Sequence, residues 1–186
     1  IDDTLSLLHH DSLQKATNML VKASQIVMVS AGDAYEMGET FKNRLLKIGK
    51  LVITERRNDN LYFLASVAEV TSCFILISYS GETEQVIKIA DKLVERQIPA
   101  IVLTSYGDNS LAQRFDTVLH LSTREKLVDN LGNFSSLISI SMLLDILYAS
   151  AFNADREVHY QKRLELSRGF EKRRMSHNPI INDHDV

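Results

Sequence analysis

At 186 residues, 45% hydrophobic and 24% charged, the chain carries enough apolar material for one substantial core and has the composition of a soluble globular domain. A net charge of −3 provides no basic footprint for nucleic acid across the domain. The single cysteine, Cys73, excludes an intrachain disulfide framework, so a reducing, cytoplasmic setting is the expectation.

In chain order, Asp11 caps a first helix that runs to about residue 23, with Leu13, Ala16, Met19 and Leu20 on one face. The short apolar run "QIVMVS" (25–30) reads as a buried strand. A helix over 33–48 follows, spaced by Met37, Phe41, Leu45 and Ile48 and stopped by Gly49. "KLVITE" (50–55) is a second strand, 60–70 a helix and 73–78 a third strand. A helix over 83–96, a strand over 99–104, a short turn at 110–115 and a fifth strand at 117–121 complete the alternation. A long apolar helix is expected over about 130–154, then a charged one to about 174, then a flexible tail, 175–186.

The stretch 131–152 is apolar enough to suggest a membrane span. It contains Asn133, Asp145 and five serines, which fit a helix buried in protein better than one in lipid. No membrane association is expected, and no charged-then-apolar leader opens these residues. Strands without a wet face, alternating with helices, imply a parallel sheet covered on both sides. The reading is an α/β, three-layer, doubly wound five-stranded parallel sheet in a single domain, 1–174. It comprises a lead helix (1–24), an α/β core (25–122) and C-terminal helices (130–174).

Chemistry concentrates where the third strand passes into its helix, "ILISYSGETEQVIKIADKL" (75–93). In such sheets ligands bind beyond the carboxyl ends of strands. Gly81 permits a sharp turn and close backbone approach, and the following helix offers free N–H groups and the positive end of its dipole to an anion. Ser78, Ser80 and Thr83 add hydroxyl donors at the same mouth. One hydroxyl is explained as an ordinary helix cap; three around a glycine favour phosphate binding. There is no lysine-bearing P-loop, and "SAGDAYEMG" lacks the three-glycine dinucleotide fingerprint. No metal site and no cofactor are expected.

"ISYSGETEQVIKIADKL" with "IPAIVLTSYGDNSLAQRFDTVLHL" closely resembles the core of the sugar isomerase (SIS) domain family, over roughly 16–148. The resemblance implies a flavodoxin-like fold, a phosphosugar ligand and a homodimer or higher homo-oligomer. Residue by residue, Ser78, Ser80 and Thr83 match the family's phosphate-binding positions and Gly81 its turn, with Tyr79 and Glu82 in variable slots. Further ligand contacts are implied at Tyr79, Gly32, Asp33, Ala34 and Glu125. The family commonly has G-x-G-x-S after its first strand. Here "SAGDA" places Ser30 at the first glycine, Gly32 at the second and Ala34 where serine is usual. One hydroxyl is thereby lost, and Asp33 adds a carboxylate that repels phosphate unless it binds a sugar hydroxyl or caps its helix.

An aldose–ketose isomerase needs a general base. Related isomerases carry glutamate and a histidine–glycine pair after the second strand, whereas "ITERRNDNLYFLA" keeps Glu55 and has no histidine. Glu125 and Glu157 remain as alternative bases, though Glu125 reads first as a ligand-hydroxyl contact and Glu157 as a solvated charge. No catalytic residue is assigned, Glu125 being the one candidate, and binding without isomerisation is the expectation. His120, in the fifth strand, reads as structural. The chain more closely resembles the effector-binding domain of RpiR-type transcriptional regulators of carbohydrate metabolism. "IDDTLSLLHHDSLQKATNMLVKASQIVMV" resembles their linker and lead helix, and "LISISMLLDILYAS" their late helix. DNA contact is then expected only through an N-terminal helix-turn-helix domain not included in these residues, with which the opening Ile1 agrees. The alternative is a stand-alone sugar-phosphate isomerase.

Overall fold

The structure is a computed structural model that describes residues 1–123, 125, 134–170 and 180. Five parallel strands, β1 (Ile26–Ser30), β2 (Val52–Thr54), β3 (Cys73–Ile77), β4 (Ala100–Ser105) and β5 (Val118–Leu121), form one sheet in the order β2-β1-β3-β4-β5. Alternate side chains enter two separate cores, which is why the strands read as unbroken apolar runs. Met28, Ile75, Ile101 and Leu119 join the first core, while Val29, Phe74, Leu76 and Val102 join the second.

The first core is closed by α2 (His10–Lys22), α3 (Ala34–Leu46) and α6 (Phe134–Ala154), which contribute Leu20, Phe41 and Leu144 among others. The second is closed by α4 (Asn58–Val67) and α5 (Glu84–Glu95), through Leu61, Ile89 and Leu93. The expected three-layer, doubly wound α/β architecture is the one found. Helix α6 is long and apolar enough to cross a membrane by composition, yet Ile140, Leu143, Leu144 and Leu147 are packed in the first core. It is a core helix, joined to α3 by an Arg44–Asp145 ion pair. A final helix, α7 (Arg156–Phe170), buries little beyond His159, whose ring Nδ1 lies 2.9 Å from the Phe152 carbonyl. Cys73 is buried and its thiol is pushed up to about 12 by burial, which makes it inert.

Several boundaries differ from expectation. The lead segment contains an additional short helix, α1 (Asp2–Ser6), before α2. Its anchor is the buried Thr4, a long-range contact with no periodic signature. Asp11 lies in the first turn of α2, and His9 takes the N-cap position. Helix α4 starts at Asn58, not 60, and ends at Val67, not 70. The Glu55 carboxylate accepts from the Arg57 amide at 3.0 Å and from Asn60 at 2.9 Å, which organises that start. Helix α3 ends at Leu46, two residues before 48, and Gly49 follows with φ +81°. β2 is three residues long where six were expected. The expected residues 130–133, 171–174 and the tail, apart from Ile180, lie outside the described residues.

Crossovers from β1 run outward to β2, and the chain then returns to place β3 on β1's other side. The carboxyl ends of β1 and β3 therefore adjoin at a topological switch point, with Ser30 in register with Ile77. The β3–α5 turn at this point is braced from behind by the β4–β5 connection. Gly81 has φ +70°, its carbonyl accepts from the Leu111 amide at 3.0 Å, and Glu82 accepts from the Ser110 amide at 2.7 Å. Asn109 holds that support in shape, donating to the Ser105 carbonyl at 3.2 Å and accepting from the Ala112 amide at 2.9 Å. A Cβ on residue 81 would lie 2.0 Å from Asn109 Oδ1.

Gly81→Ala therefore meets both an unfavourable backbone conformation and a clash, and is expected to cost about 2–4 kcal/mol. Urea denaturation measures this. Gly32→Ala, also at positive φ (+61°) but with nothing within 4 Å of the added carbon, is expected to cost about 1 kcal/mol.

Candidate functional site

A cavity of about 350 Å³ occupies the switch point. The β1–α3 connection supplies Ala31, Gly32, Asp33 and Ala34 to its wall. The β3–α5 turn supplies Ile77, Ser78, Tyr79, Ser80 and Thr83, and α6 supplies Ser136, Leu137 and Ile140. Seven of the nine sequence-predicted ligand residues thus meet around one space. Gly81 and Glu125 are outside this lining and act behind it.

The turn's hydroxyls are mutually ordered. Ser78 Oγ lies 2.8 Å from Thr83 Oγ1 and also accepts from the Gly81 amide at 3.2 Å. Ser80 Oγ accepts from the Glu82 amide at 3.1 Å. Thr83 occupies the N-cap position of α5 in an extended conformation, yet its side chain makes no cap bond to the helix. The first amides of α5 accordingly keep their donor capacity and the helix end keeps its positive potential toward the cavity. Asp33 is the N-cap residue of α3, again without a side-chain cap bond. The capping role offered for it is not adopted, and it remains an exposed carboxylate on the cavity wall. Ala34 contributes no hydroxyl, as its identity dictates.

Tyr79 points its hydroxyl toward the end of β5, donating to the Glu125 carbonyl at 2.8 Å with the Ser122 carbonyl at 3.3 Å. Burial, then the nearby Glu125 charge, raises its pKa, so it stays a neutral donor. The Glu125 carboxylate accepts from the backbone amides of Ser135 and, at 3.1 Å, Ser136. It serves as a cap for the first turn of α6 and so sets the wall carrying Ser136. Among the other candidate bases, Glu55 is bound to Arg57 and Asn60, and these hydrogen bonds hold its pKa below the usual range. Glu157 pairs with Gln161 on α7. His120 stacks edge-on against Tyr106 at 5.3 Å, and burial lowers its pKa. Among the described residues no group of histidine, cysteine, aspartate or glutamate is arranged to hold a metal ion.

Ser136 was missed as a wall residue. In the sequence the serines of α6 mark only a helix buried in protein rather than lipid; the signal for Ser136 is its place in the first turn of that helix, at the sheet's carboxyl edge. Asn109 was missed as the support of the turn, because its role depends on two loops meeting.

The SIS domain family model matches residues 19–150. An uncharacterized HTH-type transcriptional regulator of Thermotoga maritima is 23% identical over 146 residues, 78% of this chain and 52% of that protein. The chain spans about half the length of the curated relatives it matches. Among solved structures, the Vibrio vulnificus NanR protein complexed with ManNAc-6P superposes with a TM-score of 0.83 at 24% identity, covering 90% of this chain and 64% of that one. The sugar isomerase domain of an RpiR transcription factor from Sphaerobacter thermophilus gives 0.78 at 17%, covering 90% and 91%. With a family model matching most of its length and a fold shared with these domains, the chain belongs to the SIS domain family.

Proposed function

We propose that this SIS domain is the effector-sensing module of an RpiR-type transcriptional regulator of carbohydrate metabolism, and that its effector is a sugar phosphate held in the switch-point cavity. The observation that carries this reading is the convergence of Ser78, Ser80 and Thr83 with the uncapped start of α5 on one open space. A dianionic phosphate is matched there by hydroxyls, backbone amides and helix dipoles. Tyr79, Ser136, Gly32 and Asp33 line the same cavity and in this reading would meet the sugar. The regulator relatives and the sugar-phosphate complex of NanR support the same assignment. DNA contact would come from a helix-turn-helix domain outside these residues, and the whole protein would work in the cytoplasm.

Isomerisation has less to stand on. A base must lie within about 3 Å of the carbon-bound proton, and the Glu125 carboxylate is engaged with the amides of α6. Hydrogen bonds to the charged form make a carboxylate a weaker base.

We also propose a homodimer. Phe134 and Ile138 of α6 are 75% and 52% exposed, and α7 leaves Val158, Leu166 and Phe170 in solvent. A 15-residue helix with so little burial is marginal by itself, and a second copy covers both faces. Sedimentation velocity at micromolar concentration is expected to show a dimer; a monomer contradicts it.

Thermal-shift measurements against hexose phosphates test the effector assignment. A ligand at 100 times its Kd is expected to add about 2.7 kcal/mol. The Ser80→Ala/Thr83→Ala variant is expected to lose most of that shift with its unliganded stability nearly unchanged. Equal shifts in variant and parent place the ligand elsewhere.

A further inference from the structure

Thr4 is the feature of the N-terminal segment that neither its sequence nor a phosphate site accounts for. It is fully buried although α1 spans only five residues. Its hydroxyl donates to Ser139 Oγ at 3.1 Å and accepts from the Ser122 amide at 3.1 Å. Ser139 and Ser122 are themselves 1% and 7% exposed, so both bonds are made in a dry environment where a lost partner is costly. A five-residue helix has no stability of its own; α1 exists because it is docked.

Both partners of Thr4 lead to the cavity. Ser139 lies one turn along α6 from Ser136, a wall residue. The carbonyl of Ser122 lies 3.3 Å from the hydroxyl of Tyr79, another wall residue, whose stronger bond is to the Glu125 carbonyl. The Glu125 carboxylate in turn holds the Ser135 and Ser136 amides. The wall opposite the phosphate turn is thus fixed at two points, by Glu125 at the start of α6 and by Thr4 a turn later. One of those points belongs to the N-terminal segment.

We propose that Thr4 is a positioning residue of the effector site, through which docking of α1 and binding of a sugar phosphate favour one another. The proposal rests on the cavity being the effector site. A ligand that fits the wall as set by Ser136 and Tyr79 selects the arrangement in which Thr4 is bonded. By linkage, the factor by which docked α1 tightens the ligand equals the factor by which ligand tightens the docking of α1. The segment that would connect to a DNA-binding domain therefore reads the occupancy of the cavity through one hydroxyl.

The test uses the 186-residue chain and the tightest binder from the 6-phosphates of fructose, glucose and mannose and of the 2-amino and N-acetyl forms of the last two. In the parent, saturating ligand is expected to slow hydrogen exchange at the Leu5 and Leu7 amides by roughly three- to tenfold, the scale of one buried hydrogen bond. Thr4→Val, which keeps the shape and removes both bonds, is expected to weaken ligand binding by the same factor and abolish the added protection. Thr4→Ser, which keeps the hydroxyl, restores both. A merely structural Thr4 would lower the melting temperature of Thr4→Val while leaving the Kd and the ligand-induced protection intact, and that result overturns the proposal. So does unchanged exchange at α1 in the liganded parent, a measurement that needs no variant. If no sugar phosphate binds the parent, the effector-site reading falls and this inference with it.

Discussion

The β3–α5 turn can exist only because Gly81 adopts a left-handed conformation against the side chain of Asn109. That close approach lets the chain leave a fully buried strand and enter α5 within a few residues, with Ser78, Ser80 and Thr83 turned toward the cavity. The sheet order puts the turn beside the end of β1, and the 105–112 connection braces it from behind. A Cβ at position 81 would push the turn off that support and separate the hydroxyls that now lie within hydrogen-bonding distance of one another.

The electrostatics of the site follow from this backbone arrangement. Among the described lining residues there is no lysine or arginine; the charged side chain is Asp33. Attraction for an anion must then come from N–H groups and hydroxyls already ordered before the ligand arrives, where no side-chain entropy is spent to hold a flexible cation in place. Asp33 works against a phosphate nearby and in favour of hydroxyl or amino groups farther along a sugar. In the proposed complex the cavity would be polarised, with the phosphate at the start of α5 and the sugar toward Asp33, Tyr79 and Ser136.

Local and periodic features were legible in the sequence. Five apolar β-branched runs alternating with amphipathic helices fixed the parallel sheet, because strands buried on both faces leave no polar alternation. The Ser-x-Ser-Gly-x-Thr element announced its own turn, since glycine and hydroxyl spacing is a local property. What escaped depends on segments distant in the chain. Thr4 reaches Ser139 across 135 positions and Asn109 packs against Gly81 from another loop; neither leaves a pattern within a window of twenty residues. Glu125 caps α6 from ten positions before Ser135, beyond the two- or three-residue spacing by which a helix cap is read from sequence. The limits of α4 escaped for a local reason: the bonds made by Glu55 organise its start at Asn58, and the extended ψ of 148° at Ala68 ends it at Val67 despite the helical preference of the residues beyond.

The central claim is that a sugar phosphate sits at the adjoining ends of β1 and β3, its phosphate on the amides of α5. An amide-resolved NMR titration with a hexose 6-phosphate tests it most directly. The account predicts that the largest shifts fall on the backbone amides of Gly81, Glu82, Thr83 and Glu84, with smaller ones at Gly32, Asp33 and Ser136. Shifts that leave those amides unmoved and gather instead in the groove of Gly49, His159 and Lys162 beside α7 would contradict it.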